Sequence, residues 1–306
     1  MTRADPRTIA GIDPQRLLAA YFVLIWGSGY VATRIALQDA SPFSFLTLRF
    51  ALATLVLIPV VLWLRPRWPA TRAEWLHIIV AGVLMHGFNL GGSHYAQFVG
   101  LSASMSALIL AFQPLVTAVW LTARGRDQLA PLQWLGVAVG LLGVTAIVWR
   151  GLDLRTMSVA GLACALFALA SISTATLYQR RFCPAVDLRS ATLIQTAATL
   201  ALFAPLGWLV EGFELRPSLR LLGATLFLVV FATLLAVSAL HWLMRRGAAT
   251  RVTSLLYLTP VVTLGVEWLI FRVSPDGLSL VGAAAACIGV WLVTRQASAA
   301  SAPKSA

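Results

Sequence analysis

The sequence has little charge, and the charge that it has is strongly biased in sign. Only 11% of its 306 residues are charged, with 23 basic residues against 11 acidic ones, and Lys304 is the single lysine. Hydrophobic residues make up 59% of the chain, and its mean hydropathy is +0.84. These values lie outside the range of soluble globular proteins. The composition therefore predicts a membrane protein with short polar connections and no separate soluble domain.

The sequence also lacks the patterns of an enzyme or of a pump driven by ATP. No paired carboxylates share a predicted helix face, no His/Cys/Asp cluster has metal-ligand spacing, and no Gly-rich phosphate loop precedes a lysine. The cysteines Cys164, Cys183 and Cys287 lie in or beside apolar segments, as packing residues do. We therefore predict a protein that is not an enzyme, with no catalytic residues, no metal site and no cofactor.

Ten apolar stretches are long enough to cross a bilayer, whose hydrocarbon core of about 30 Å requires roughly 20 residues per helix. They must be helices, because unpaired strand edges are unstable in lipid. The fold class is therefore predicted to be an all-α integral membrane protein with ten transmembrane helices. The predicted spans are 17–37, 43–64, 75–98, 101–123, 132–149, 158–178, 188–210, 219–244, 249–271 and 278–294.

The chain contains an internal repeat at a fixed offset of 146 residues. Each copy has five spans, and because five is odd, the second copy enters the membrane from the opposite side. Inverted repeats of this kind are typical of secondary transporters. We assign 1–16 and 296–306 to polar tails, 17–149 to the first repeat and 158–295 to the second. The coinciding pairs are Pro59 and Pro205, Pro114 and Pro260, Thr117 and Thr263, Arg34 and Arg180, Gly136 and Gly282, and Gly143 and Gly289.

The formal charge of +12 would suit a nucleic-acid partner if it formed one patch, but it is spread over short loops. Most basic residues of those loops fall on the side that carries both termini, which the positive-inside rule assigns to the cytoplasm. The sequence therefore predicts a multi-pass protein of a bacterial inner membrane with both termini cytoplasmic. It predicts membrane lipid as a partner and no nucleic acid.

Polar side chains inside the predicted spans are the candidates for function, because burying them in a membrane is costly. His86, Asn89, Ser93 and Gln97 recur at helical spacing along one face of the third span. This stripe either lines a substrate cavity or hydrogen-bonds with neighbouring helices. Gln113 lies in the fourth span directly before Pro114, which is predicted to kink that helix.

Other candidates come from both halves. The eighth and ninth spans contribute His241 and Tyr257, and aromatic side chains on the first and sixth spans contribute Trp26, Tyr30 and Tyr178. Aromatic residues at helical spacing are more often packing residues than ligand contacts, so both interpretations stay open. The predicted substrate-binding residues are Trp26, Tyr30, His86, Asn89, Gln113, Tyr178, His241 and Tyr257.

Glu267 and Arg49 are ionisable residues inside predicted spans. Glu267 is either a proton or cation relay or the partner of an arginine such as Arg272 or Arg49. Arg49 is expected to extend to the interface or to form a structural pair, or else to bind a substrate carboxylate.

Small residues recur at helical spacing in the fifth and tenth spans, which lets helix backbones approach closely in lipid. Gly136, Gly140 and Gly143 share one face, and Gly282, Ala286 and Gly289 are their repeat equivalents. We expect these spans to be packing elements of the bundle or the contact of a homodimer.

Three segments resemble the EamA-type members of the drug/metabolite transporter superfamily. They are Trp-Gly-Ser-Gly-Tyr at 26–30, Leu-Arg-Phe-Ala at 48–51 and Ala-Leu-Ile-Leu-Ala-Phe-Gln-Pro at 107–114. The resemblance covers about 17–295 as two modules. It implies a central substrate cavity surrounded by helices one, three, four, six, eight and nine, with helices two and seven as gates.

The repeat and the resemblance together predict a secondary-active transporter of small organic metabolites, such as amino acids or related compounds. It would be an exporter that works by alternating access around a central cavity. Two alternatives stay open. A flippase for lipids or lipid-linked sugars predicts an apolar lateral opening between helices. A membrane scaffold without transport predicts extensive surface outside the membrane, which the short loops do not provide.

Overall fold

The computed structural model describes residues 14–125, 130–151, 158–184, 186–236, 258–272, 274 and 277–300. Within these residues, ten helical spans follow the predicted order. They are α1 (Pro14–Ala36), α2 (Pro42–Leu64), α3 (Arg72–Phe98), α4 (Ala103–Ala123), α5 (Pro131–Gly151), α6 (Val159–Phe182), α7 (Leu188–Glu211), α8 (Leu219–Leu226 and Phe227–Ala236), α9 (Thr259–Phe271) and α10 (Gly277–Ala300). α1 starts before the predicted span, and α10 continues to Ala300, into the segment predicted as a tail.

Five of these helices, namely α2, α3, α4, α6 and α7, are long and apolar enough to cross a membrane. Large apolar side chains such as Leu55, Trp63 and Leu209 are exposed on their outer surfaces. In a membrane protein such side chains contact lipid, so the exposed apolar surface is the expected one.

The predicted kink at Pro114 is present as a break in α4. Its first segment ends at Leu110, Ala111 and Phe112 form a turn, and a new helical segment begins at Gln113. Pro114 occupies the first turn of that segment, where its missing N–H costs no helical hydrogen bond. Pro260 has the equivalent position in the first turn of α9.

Two helices contain a widened turn at equivalent places in the repeats. α3 is π-helical over Val83–Phe88, and α8 is π-helical over Phe227–Ala236. Shifting the first segment by 146 residues gives 229–234, which lies inside the second. π-helical turns are rare and often occur at functional sites, so this pair directs attention to α3 and α8.

The small residues of α5 and α10 face each other within one chain. A Cβ atom on Gly289 would lie 2.5 Å from the Gly136 carbonyl oxygen, and one on Gly143 would lie 2.7 Å from the Gly282 carbonyl oxygen. No side chain fits in that space, so the two backbones are in direct contact. The expected packing role is confirmed, and the packing is between the two halves of the chain.

The antiparallel course of the helices places the connecting loops at two ends of the bundle. We call the end with the α1–α2 and α7–α8 loops the carboxylate end, because Asp39, Glu211 and Glu267 lie there. We call the opposite end, with the α2–α3 and α6–α7 loops, the arginine end, because Arg65, Arg67 and Arg189 lie there. At both ends, a loop of the first half contacts a loop of the second.

At the carboxylate end, the two loops are joined by backbone and side-chain contacts. Ala40 and Leu215 form an isolated antiparallel bridge. The Asp39 carboxylate accepts hydrogen bonds from Arg220 Nη2 at 3.1 Å and from Ser218 Oγ at 2.5 Å. The Glu211 carboxylate accepts from the backbone N–H of Ser44 at 2.8 Å, at the beginning of α2. Charged contacts therefore connect the halves here.

At the arginine end, the loop contacts are fewer and more exposed. The Arg67 N–H donates to the Asp187 carboxylate at 3.3 Å, and Ser190 Oγ donates to the Arg67 carbonyl at 2.7 Å. Asp187 pairs with Arg189 of its own half at 3.6 Å, and the Arg189 side chain is half-exposed. Among the residues that the structure describes, no ion pair joins the halves at this end.

Candidate substrate site

The polar face of α3 lies inside the bundle. His86 belongs to the π-helical turn and is half-buried, while Asn89, Ser93, His94 and Gln97 follow it on the next turns and are buried. His94 lies beside the stripe in the sequence and is buried as deeply as the stripe itself, at 3% exposed. α3 therefore presents both imidazoles to the interior.

α2 places a cationic side chain against this face. Phe45 stacks on the His94 ring with 5.8 Å between ring centroids, and Phe50 contacts the His86 ring at 5.9 Å. Arg49 lies between these two phenylalanines in the sequence, and its guanidinium carbon lies 5.9 Å from the centroid of the Phe50 ring, the ring that contacts His86. Arg49 is only 9% exposed, so most of its side chain lies inside the bundle.

The second half completes the site through α7. Gln195 is buried and packs against Gly82, one helical turn before His86. A Cβ on Gly82 would lie 2.7 Å from the Gln195 Cα, so α3 and α7 touch at this level through the glycine. Gln195 is the repeat equivalent of Arg49. The two equivalent residues, one charged and one neutral, therefore lie on helices that contact α3 from opposite halves.

Several polar atoms of this region have no hydrogen-bond partner among the described residues. They are Arg49 Nε, Asn89 Oδ1, both ring nitrogens of His94 and both amide atoms of Gln97. Asn89 uses only its Nδ2, which donates to the Met85 carbonyl at 3.1 Å. Buried polar groups without partners are costly, and in native proteins they are usually satisfied by water or a ligand. We call Arg49, His86, Asn89, His94 and Gln97 the α2–α3 polar cluster.

Gln113 belongs to a different helix contact. Its Nε2 donates to Thr176 Oγ1 of α6 at 2.6 Å, directly after the break in α4. The amide therefore holds the broken helix against α6. Gln113 is half-buried and does not contact the α2–α3 polar cluster in this conformation.

Glu267 forms an ion pair, but with an arginine that sequence reasoning did not consider as its partner. Its carboxylate pairs with Arg34 of α1, and neither Arg49 nor Arg272 is involved. It also accepts hydrogen bonds from the N–H groups of Ala103 and Ser104 at 3.1 and 2.9 Å. These are free N–H groups of the first turn of α4, where negative charge is favourable. Glu267 is thus an inter-half contact of the carboxylate end.

The aromatic candidates are dispersed. Trp26 is 37% exposed and packs on Phe22 at 5.4 Å, and Tyr30 is half-buried on the same helix. The Tyr178 hydroxyl lies 2.7 Å from His77 Nδ1, nine residues before His86 and towards the arginine end. The structure therefore does not bring these three side chains to the α2–α3 polar cluster. His241 and Tyr257 lie outside the described residues.

Arg34 and Gln195 were not among the candidate site residues predicted from the sequence. Arg34 was predicted only as a repeat equivalent of Arg180. It pairs with Glu267 because α1 contacts α9. Gln195 could have been identified from the sequence, because it occupies the repeat position of Arg49. No three His, Cys, Asp or Glu side chains are grouped as a metal site in the part of the chain that the structure describes.

A separate cavity of about 570 Å³ lies among α4, α5 and α6. Its lining is entirely apolar and includes Phe112, Trp120, Trp134 and Leu166, several of which are exposed on the outer surface. The cavity therefore suits a hydrocarbon chain and offers no group that would bind a polar headgroup.

Comparison with known proteins identifies the same architecture. The sequence profile of the EamA-like transporter family matches residues 15–149 and 159–295. A solved crystal structure of a protein aligns with a TM-score of 0.62 at 20% identity, covering 92% of this chain and 98% of the other, and so supports the fold.

Curated relatives are named as transporters. The inner membrane transporter YedA of Escherichia coli K12, described as uncharacterized, is 27% identical over 252 residues, which are 81% of this chain and 80% of YedA. A Salmonella typhimurium protein named as a probable amino-acid metabolite efflux pump is 24% identical over 290 residues, which are 90% of this chain and 93% of that protein.

Proposed function

Since the chain belongs to the EamA-like transporter family, and is therefore a membrane transporter, we propose that it exports small organic metabolites such as amino acids or related compounds. The observation that carries this proposal is the α2–α3 polar cluster. Four of its five residues are buried, and several of its atoms lack hydrogen-bond partners among the described residues. A polar solute can supply the hydrogen bonds that such a site lacks.

The mechanism in this proposal is alternating access between the two halves. α2 packs on α7, and α5 packs on α10, so these two helix pairs form part of the interface across which the halves would rock. In this conformation the carboxylate end is closed by charged contacts. Opening that end requires those contacts to break, and substrate binding would then favour one arrangement over the other.

The direction and the orientation are parts of the same proposal. The excess of arginine at one end supports cytoplasmic termini in an inner membrane. The carboxylate end then faces away from the cytoplasm. A carrier closed at that end would take substrate from the cytoplasm, which agrees with the efflux role in the name of the Salmonella relative.

The proposed substrate contacts extend beyond the cluster. Trp26, Tyr30, Gln113 and Tyr178 lie on helices that border the interface of the halves, and they would meet substrate during the transport cycle. Glu267 and Arg34 are proposed to control closure of the carboxylate end. The proposed substrate-contact residues are Trp26, Tyr30, His86, Asn89, Gln113, Tyr178, His241 and Tyr257.

The test is efflux from proteoliposomes loaded with a mixture of amino acids and central carboxylic acids, with release followed by mass spectrometry. We expect release of at least one compound, and a decrease of about tenfold in rate for His86→Ala, because one hydrogen bond to the substrate of about 1.5 kcal/mol is lost. Gln113→Ala is expected to slow release as well. Thr192→Ala is the control, since its hydroxyl bonds only to its own helix. Unchanged release in both His86→Ala and Gln113→Ala contradicts the assignment of these residues to the substrate site.

A second candidate function is a lipid or lipid-linked sugar flippase, and the apolar cavity among α4, α5 and α6 is the observation in its favour. This candidate predicts that a specific lipid copurifies in stoichiometric amount and that labelled lipid exchanges between leaflets. Lipid analysis of the purified protein, together with a leaflet-exchange assay, separates it from metabolite export.

A further inference from the structure

Arg49 is a buried cation for which the chain supplies no carboxylate among the described residues. It is 9% exposed, its Nε has no partner, and it lies in the apolar interior of a membrane protein. An arginine in such a place is costly unless an anion accompanies it. Its repeat equivalent, Gln195, is neutral, so the fold itself does not require a cation at this position.

The carboxylates of the described helices are occupied elsewhere. Glu74 accepts from the Ala70 N–H at 2.7 Å, Glu211 accepts at the beginning of α2, and Glu267 pairs with Arg34. Of the loop acids, Asp39 pairs with Arg220, Asp187 pairs with Arg189, and Glu214 is exposed. The anion that accompanies Arg49 must therefore come from outside these residues.

The α3 helix, whose His94 and His86 rings contact Phe45 and Phe50 on either side of Arg49 in the sequence, has further unused donors and acceptors. The Gln97 amide and the His94 ring supply donors, and Asn89 Oδ1 supplies an acceptor. A guanidinium binds carboxylates in a planar, bidentate geometry. With one cation present, the site matches a singly charged anion better than a phosphate ester, which carries about two charges.

We propose that the substrate carries a carboxylate, that Arg49 binds this carboxylate, and that His94 and Gln97 donate to the same molecule. This inference rests on the proposed export function and names the substrate class of that site. Asn89 then accepts from a donor of the substrate, such as the ammonium group of an amino acid.

The first experiment measures ligand binding without transport. Thermal unfolding of the purified full chain in detergent is followed with each of the twenty amino acids, with pyruvate and succinate, and with the amides of leucine, phenylalanine and threonine. We expect at least one carboxylate to raise the unfolding midpoint by several degrees, because ligand binding stabilises the folded state by mass action. The matching amide should have no effect. Stabilisation by no carboxylate, or equal stabilisation by acid and amide, overturns the proposal.

The second experiment changes Arg49 and uses the unliganded protein as its own control. Arg49→Met should abolish stabilisation by the carboxylate, and Arg49→Lys should weaken its binding about tenfold, because a lysine lacks the bidentate geometry. Without ligand, Arg49→Met should unfold at the same or a higher temperature, since it removes a buried unpaired charge. Arg181→Lys, at an exposed position, should behave as the parent chain.

The outcomes separate this inference from the proposed function. A lower midpoint of unliganded Arg49→Met would show that Arg49 has a structural partner, and the inference is then wrong even if efflux is intact. Efflux restricted to amines or neutral compounds would also show that the inference is wrong. Carboxylate binding that depends on Arg49, in a protein that releases nothing from proteoliposomes, supports the inference and contradicts the export function.

Discussion

At the carboxylate end the two halves are joined through Asp39, Glu211 and Glu267, whereas the equivalent positions in the other copy are Ala185, Arg65 and Leu121. The backbones of the two loops are hydrogen-bonded to each other at the carboxylate end. At the arginine end, the contact of Asp187 with the other half is to the backbone N–H of Arg67. The same scaffold therefore has one end with charged contacts between its halves and one end with few. Because charged contacts resist separation, this difference favours a conformation closed at the carboxylate end.

The largest expected effect comes from fixing the carboxylate end shut. Ala40 and Leu215 are directly opposed in an antiparallel bridge, a geometry that suits a disulfide. In a chain whose cysteines are replaced by serine, Ala40→Cys with Leu215→Cys should crosslink under oxidation. Efflux from proteoliposomes should then fall close to zero and return on reduction. The Ala40→Cys single variant is the control, and efflux that persists in the crosslinked protein contradicts alternating access.

An intermediate effect is expected from the buried acid. Glu267→Gln leaves Arg34 without its charge partner and weakens the contacts to Ala103 and Ser104. The loss should be about 1.5 to 3 kcal/mol, the usual range for hydrogen bonds to charged groups. Thermal unfolding in detergent should show a lower midpoint. Leu121→Gln places the same amide at the equivalent position of the other copy, and a comparable decrease there would contradict the asymmetry.

The smallest effect is expected from the exposed pair. The Arg220 side chain is 62% exposed, so Asp39→Asn should lower stability by about 1 kcal/mol or less. It should nevertheless raise the reactivity of a cysteine at position 40 towards a water-soluble maleimide, because the loops separate more often. Arg189→Gln, which removes the exposed pair of the arginine end, is the matched control. Equal reactivity in both variants would mean that the Asp39 pair does not hold the loops.

Much of the fold follows from local sequence. Apolar length predicts the ten spans, the proline pairs predict the break in α4, and the glycine stripes predict the contact of α5 with α10. Each of these features depends on residues that are near in sequence or related by the repeat offset. Such signals are readable because membrane helices must satisfy their own backbone and pack through small residues.

The site was less predictable, because it depends on which helices touch. The periodicity of α3 identifies a polar face with Asn89 and Gln97, but not the contact of α3 with α2 on either side of Arg49. The partner of Glu267 is 233 residues away, and no local pattern distinguishes Arg34 from the other helix-end arginines. The substrate contacts assigned to His241 and Tyr257 remain predictions.

The two π-helical turns have a consequence for the history of the chain. A widened turn arises when one residue is inserted into an α-helix, which would shift everything after it by one position. Yet the offset is 146 residues both before the turns, at Pro59 and Pro205, and after them, at Pro114 and Pro260. Both copies therefore carry the extra residue at matched positions, which is the result expected if the insertion preceded the duplication. At the repeat position of His86 the second copy has Ala232.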